Sequence, residues 1–295
     1  MDWTGNFIAV DWGTTNRRAY RIDESGTCVD SLEDGCGILS VAAGQFPAGA
    51  QTIRDRLGDL PLLLGGMVGS NRGWVEAPYV DCPASLDDLV AGMRLIGDTR
   101  AAIIPGLAVR SPDRADVMRG EEIQVFGAIA SGLVPPDCVI CHPGTHNKWI
   151  KVEQARVTGF RTVMTGEMFS LLSNNGILVD LLKGKAAPGP SFSEGVQRSL
   201  NGGTLAADLF SARARVLLGE LDRAEAVSYI SGLLIGADIG LGRTIASGSE
   251  IITMGKPELT RLYAAAATEA GLSVREVDGA ASFLAGATAL ARKLS

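Results

Sequence analysis

The chain has 295 residues, a net charge of −6, 46% hydrophobic and 20% charged residues. This composition excludes a disordered chain, and the length exceeds what one compact core usually serves, so two domains are expected. The acidic balance gives no electrostatic case for binding nucleic acid or an anionic membrane surface.

Glycine is abundant at 37 residues, against an ordinary share of about 7%. Such a frequency fits the tight turns and close backbone approaches of an α/β enzyme. The N-terminus lacks the basic-then-apolar pattern of a secretory signal. The apolar runs are too short or too interrupted to span a bilayer, the run 227–241 being broken by Asp238 and several glycines. A cytoplasmic protein is expected. The five cysteines, Cys28, Cys36, Cys82, Cys138 and Cys141, are odd in number and scattered, which argues against a disulfide framework. Cys138 and Cys141 lie in one apolar run, where residues three apart face opposite sides of a strand, so a buried structural pair is expected and not a metal site.

In chain order, 7–10 reads as a buried strand, 18–22 as a second and 28–32 as a third, with a turn at 23–26. Residues 60–64 form another buried strand, 85–96 a helix, 101–104 a strand and 121–131 a helix. Strands follow at 139–141, 149–152 and 156–162. Helices are expected over 166–173, 204–220 and 226–239. Residues 251–254 form a short strand, with a helix over 257–270 behind it and an amphipathic helix over 280–293. These elements divide into a domain over 1–133 and a second over 134–280, with 281–295 returning to the first.

One pattern occurs twice. Asp11-Trp12-Gly13-Thr14-Thr15-Asn16-Arg17 and His142-Pro143-Gly144-Thr145-His146-Asn147-Lys148 share Gly-Thr-x-Asn followed by a cation. Each copy follows an apolar strand and precedes another strand. Glycine lets backbone N–H groups approach an anion, and threonine hydroxyls add donors. Gly13, Thr14, Thr15, Asn16, Gly144, Thr145, His146 and Lys148 are therefore candidate phosphate ligands, with Arg17 or Arg18 supplying charge. Asp11, at a strand end, is suited to hold Mg²⁺ beside the phosphates. His142 occupies the matching place in the second copy and cannot duplicate that role. Neither copy is a Walker loop, and Gly65-Gly66-Met67-Val68-Gly69 lacks the Rossmann spacing.

Asp-x-Gly-Thr-Thr early, a second Gly-Thr loop mid-chain and Ile251-Ile252-Thr253-Met254-Gly255 late resemble the ATPase fold of sugar kinases, actin and Hsp70. The segments Gly66-Met67-Val68-Gly69-Ser70, Gly73-Trp74-Val75-Glu76-Ala77-Pro78-Tyr79, Met118-Arg119-Gly120-Glu121-Glu122, Pro143-Gly144-Thr145-His146-Asn147-Lys148-Trp149 and Met164-Thr165-Gly166-Glu167 resemble the 2-dehydro-3-deoxygalactonokinase family over essentially the whole chain. The resemblance implies an α/β, two-domain actin/hexokinase-like ATPase fold, built from duplicated ribonuclease H-like domains with an interdomain cleft. It implies ATP and Mg²⁺ as cofactors, and phosphorylation of 2-dehydro-3-deoxy-D-galactonate on its terminal hydroxyl in galactonate breakdown. Closure on ATP and the sugar acid would exclude water.

Phosphoryl transfer needs positioning, charge neutralisation and a base near the attacking hydroxyl. Related sugar kinases carry a catalytic Asp in a Gly-Asp context before the second phosphate loop, and Gly120-Glu121 occupies that place here. Glu121, with Glu122 beside it, is the candidate base; both also suit a helix N-terminus through its dipole. Ser70, Arg72, Trp74, Glu76 and Tyr79 mix aromatic walls, a carboxylate and a cation, a set that recognises a polyhydroxy acid. Thr165 and Glu167 either face substrate or cap their helix. Arg18 binds a substrate carboxylate, a phosphate, or only solvent. Gly255 lets adenosine approach the backbone. Partners are then ATP and a small sugar acid, with no nucleic acid and no membrane; a homo-oligomer is compatible with this. Two other readings stand beside the kinase of this sugar acid: a kinase of another sugar, sugar acid or acetate, and an actin-like nucleotide-sensing ATPase. The latter would need polymer-forming insertions or a DNA-binding segment.

Overall fold

The computed structural model describes residues 3, 5–97, 99–248 and 250–294. Contacts divide the chain into two units, one of residues 1–137, 152–159 and 279–295, the other of 138–151 and 160–278. The division falls four residues beyond the expected one, and the tip of one hairpin, 152–159, groups with the first unit. There Val157 bridges Ala84.

In the first unit β1 (Phe7–Trp12), β2 (Arg17–Ile22) and β3 (Cys28–Asp34) form an antiparallel meander. After α1 (Phe46–Leu57), β4 (Leu62–Gly65) joins β1 in parallel, with Asp11 opposite Gly65. Then come β5 (Tyr79–Asp81), α2 (Leu86–Ala91), β6 (Arg94–Leu95), β7 (Ala101–Ile103), β8 (Gly106–Ser111), β9 (Arg114–Met118) and α3 (Glu121–Ala130). The main sheet runs β3-β2-β1-β4-β7-β6, and β5-β8-β9 form a small second sheet. Ile8, Ala9 and Val10 have no exposed surface, because β1 is central and covered on both faces. Its core continues through Trp12, Ile53, Leu57, Leu64 and Ile103. Each such side chain contributes about 1.5–3 kcal/mol by leaving water.

The second unit repeats this order. β10 (Cys138–His142), β11 (Asn147–Glu153) and β12 (Arg156–Val163) are neighbours, and the sheet runs β12-β11-β10-β13-β14. Here β13 (Ile251–Gly255) lies parallel to β10, and β14 (Val274–Asp278) lies parallel to β13. A three-strand run followed by two parallel strands is the arrangement of β3-β2-β1-β4-β7, so the duplication extends from the loops to the sheets. The helices are α4 (Thr165–Asn174), α5 (Pro190–Leu200), α6 (Leu205–Leu217), α7 (Ala226–Ala246) and α8 (Pro257–Glu269). The last helix, α9 (Gly279–Leu294), belongs to the first unit and lies on α3. A Cβ at Gly127 would sit 2.0 Å from the Ser282 carbonyl, so those helices meet backbone to backbone.

The expected helix over 85–96 is half as long. It ends at Ala91, and Arg94–Leu95 turn back as an edge strand on β7. Gly92 and the exposed Arg94 and Leu95 give the helix no apolar stripe to continue. The helices α1 and α5, and the β5-β8-β9 sheet, were absent from the expected elements. Cys141 is buried, Cys138 is half-buried and the five cysteines form no disulfide. No helix among the described residues is long and apolar enough to cross a membrane.

Candidate active site

The first Gly-Thr loop joins β1 to β2. The Gly13 amide donates to the Asn16 carbonyl (3.0 Å), closing the turn. Three amides from the next crossing segment then take the loop's carbonyls: Gly37 donates to Thr15 (3.2 Å), Ile38 to Gly13 (3.0 Å) and Leu39 to Thr14 (3.1 Å). A Cβ on Gly37 would lie 2.3 Å from the Thr15 carbonyl carbon, so only glycine allows this support. Thr14, Thr15 and Asn16 are exposed. Among the described residues their amides donate to nothing. With its carbonyls engaged and the Thr14, Thr15 and Asn16 amides unspent, the loop presents the donors an anion needs.

The cation following this loop is not part of that surface. Arg17 is 2% exposed. Its Nε and Nη2 donate to Asp34 (3.2 and 2.6 Å), its Nη1 donates to the Gly49 carbonyl (3.1 Å), and the guanidinium lies 5.0 Å over the Trp12 ring. Arg18 donates to Glu33 (2.8 Å) and lies 3.8 Å from Asp11.

Asp11 stands at the carboxyl end of β1, where open α/β sheets place ligands. Two glycines with positive φ follow: Gly66 (84°) lies against Asp11, and Gly120 (110°) lies against Gly66. A Cβ on Gly66 would be 3.3 Å from Asp11 Oδ1, and one on Gly120 would be 3.3 Å from Gly66 Cα. This packs the residue that precedes α3 on Gly66, the glycine that lies against Asp11. The adjacent glutamates diverge there. Glu122 is fully buried and takes the Gly120 amide on both oxygens, at 2.8 and 2.7 Å. Burial, reinforced by the charge of Glu121, raises its pKa to about 8. Glu121 is half-buried, and its Oε2 accepts the Arg119 amide at 3.1 Å.

Arg119 links this helix start to the segment 70–79. Its Nη2 donates to the Ala77 carbonyl (2.8 Å) and its guanidinium lies 4.3 Å over the Tyr79 ring. Its Nε and Nη1 are buried without a hydrogen-bond partner among the described residues. Of the candidate substrate residues, Glu76 is exposed, Trp74 and Tyr79 are half-buried, and Ser70 is 7% exposed with its hydroxyl accepting the Arg72 amide (3.3 Å).

In the second unit, Thr145 and His146 are exposed in the loop between β10 and β11, while Lys148 is 4% and His142 is 9% exposed. The Thr145 carbonyl accepts the Glu167 amide (2.8 Å), and His146 Nε2 lies 2.6 Å from Glu167 Oε2. Thr165 is not open to solvent: it is 6% exposed and donates to Asp238 Oδ2. Gly255, at φ 149°, closes β13 beside this loop, and a Cβ there would be 3.3 Å from the Pro143 carbonyl.

Asp238 and Arg119 were not among the expected site residues. Asp238 carried a signal, since it is the lone charge in the apolar run 227–241. Arg119 carried one only through its place in the Met-Arg-Gly-Glu-Glu segment.

Duplicated sheets of matching strand order, each carrying a Gly-Thr loop at the end of its first strand, define a two-domain ATPase fold of the actin and hexokinase kind. The fold alone is shared with component A of (R)-2-hydroxyglutaryl-CoA dehydratase from Acidaminococcus fermentans, at TM-score 0.51 and 12% identity over 98% of this chain and 99% of that one. Within that fold the chain belongs to the 2-keto-3-deoxy-galactonokinase family, whose model it matches over residues 11–290. It is 36% identical to the 2-dehydro-3-deoxygalactonokinase of Escherichia coli (strain K12), over 99% of both chains. It is also 36% identical to a protein of Rhizobium meliloti (strain 1021) named "Probable 2-dehydro-3-deoxygalactonokinase", over 100% of this chain and 99% of that one. A crystal structure of a Sinorhizobium meliloti protein assigned to the same activity superposes at TM-score 0.89, with 34% identity over 98% of this chain and 96% of that one.

Proposed function

We propose that this chain is an ATP-dependent kinase that phosphorylates 2-dehydro-3-deoxy-D-galactonate on its terminal hydroxyl, in galactonate catabolism. The observation that carries the reading is full-length identity of 36% to the Escherichia coli 2-dehydro-3-deoxygalactonokinase, joined to a Gly-Thr loop whose Thr14, Thr15 and Asn16 amides are unspent.

In this reading the amides and hydroxyls of Thr14 and Thr15 hold phosphate oxygens from the first unit. Within the second unit, Thr145 and His146, with Glu167 beside the imidazole, form a phosphate-binding loop of their own. The terminal hydroxyl oxygen of the sugar acid attacks the γ-phosphorus, the bond to the β-phosphate oxygen breaks, and ADP leaves with the electron pair. The hydroxyl proton passes to Glu121. Glu121 is favoured over Glu122 because Glu122 is fully buried and held by the Gly120 amide. Ser70, Trp74, Glu76 and Tyr79 bind the sugar acid, and Gly255 admits adenosine.

Among the described residues no cluster of three or more His, Cys, Asp or Glu could hold a metal by itself. A single carboxylate at the loop mouth nevertheless fits Mg²⁺, which is commonly held by one or two carboxylates together with substrate phosphates. Asp11 would hold it, and the ion would neutralise charge on the phosphates.

A coupled ADP-release assay against a panel of sugar acids tests the reading. Turnover with 2-dehydro-3-deoxygalactonate, and little with gluconate, glycerol or acetate, is expected. Nucleotide binding with no acceptor-dependent turnover would instead favour a sensor ATPase.

A further inference from the structure

Asp238 sits on α7 with 2% of its surface exposed. Four side chains from three other elements converge on it. Asn147 donates to both its oxygens (3.0 and 3.0 Å), and Trp149 donates to Oδ1 (2.7 Å). Thr165 donates to Oδ2 (2.5 Å), and so does the Tyr263 hydroxyl (2.7 Å). Every one of these donors is uncharged. A carboxylate accepting this many hydrogen bonds is satisfied as an anion, and loss of it would strand four buried donors together.

The donors belong to a particular neighbourhood. Asn147 is the residue that ends the second Gly-Thr loop. Thr165 opens α4, and its two successors complete the other wall of the loop. The Gly166 Cα packs so closely that a Cβ would lie 2.3 Å from the Gly144 carbonyl, and the Glu167 amide takes the Thr145 carbonyl at 2.8 Å. Thr145 and His146 therefore hang between two anchors held by one carboxylate. Tyr263 lies on α8, the helix that follows Gly255. Burial and then the Asp238 charge push the Tyr263 pKa well above normal, which keeps its hydroxyl a donor.

We infer that Asp238 is the positioning residue of the second Gly-Thr loop. By holding Asn147, Thr165 and Tyr263 in one network, it sets Thr145, His146 and Glu167 in the geometry that receives ATP. The inference rests on the kinase reading for its nucleotide, but not for the identity of the sugar acid.

The test compares Thr165→Val, Thr165→Ser and Tyr263→Phe, with Asp238→Asn added if that variant folds. Affinity for a non-hydrolysable ATP analogue is measured by calorimetry, KM is measured for ATP and for the sugar acid, and thermal melting is followed in parallel. Thr165→Val should weaken analogue binding and raise KM for ATP by about ten-fold, the effect of one hydrogen bond to a charged group. KM for the sugar acid should hold within about two-fold. Thr165→Ser, which keeps the hydroxyl, should restore nucleotide affinity. Melting alone cannot produce this split. Equal losses for both substrates, failure of serine to rescue, or a lower melting point with unchanged analogue affinity would overturn the inference. So would a wild-type protein that does not bind the analogue. Wild-type protein that binds the analogue but does not turn over the sugar acid would refute the substrate reading, and the calorimetric comparison would still decide the role of Asp238.

Discussion

The amide of Gly120 donates to both carboxylate oxygens of Glu122, at 2.8 and 2.7 Å, and the Glu122 side chain has no exposed surface. Burial and the neighbouring Glu121 charge outweigh that hydrogen bonding and raise the pKa to about 8. The folded chain then holds a proton that the unfolded chain releases near its ordinary value of 4.5. Between those two values the folded state binds more protons, so stability falls as pH rises, by up to about 1.4 kcal/mol per pH unit. Above the folded pKa the loss levels off. Denaturant melts of wild type and Glu122→Gln from pH 5 to 9 should show a decline in wild type that is clearly shallower in the variant. Parallel curves would remove this account of Glu122.

Glu121→Gln should lower kcat by about 10²–10⁴-fold, the usual share of a general base, with little change in either KM. Normal turnover in this variant would move the base elsewhere.

Asp11→Asn keeps the size of a side chain that is 30% exposed. Its stability should change by less than about 1 kcal/mol. Turnover should nonetheless fall by about 100-fold or more if the carboxylate carries charge next to the phosphates. Titrating Mg²⁺ should show a raised half-saturating concentration. A variant with wild-type turnover and wild-type Mg²⁺ dependence would end the metal assignment.

Gly37→Ala introduces a methyl that would overlap the Thr15 backbone at 2.3 Å. Overpacking of this kind costs about 1–3 kcal/mol, and here the strain falls on the phosphate loop. Raised KM for ATP with an unchanged KM for the sugar acid is the expected pattern. An unchanged KM for ATP would show that the contact with residues 37–39 does not shape the loop.

Much of the fold was legible because strand and loop signals are local. Buried strands announced themselves as apolar runs ending at glycine, and both meanders followed from runs of that kind. Helix α1, with Pro47 and Gly49 in its first turns, was not legible, because its place is fixed by packing on β2 and β3 and not by propensity. Helix α5 begins with Pro190 and carries Gly195, and it is held by α7. The segment 94–95 could not be read as a strand, since two exposed residues show no alternation and acquire strand character only by pairing with β7.

The sequence by itself determined that two Gly-Thr loops follow apolar strands, that Asp11 stands only before the first, and which family the motifs between them resemble. Those properties are written in residue type and spacing. Only the tertiary structure decided which polar side chains are available for chemistry. Neighbouring glutamates on one helix differ because Glu122 turns inward and Glu121 does not. Arg17 is spent on Asp34 and Trp12, and Thr165 on an aspartate 73 residues away. Burial and long-range pairing depend on what packs against a side chain, and spacing along the chain does not contain that information.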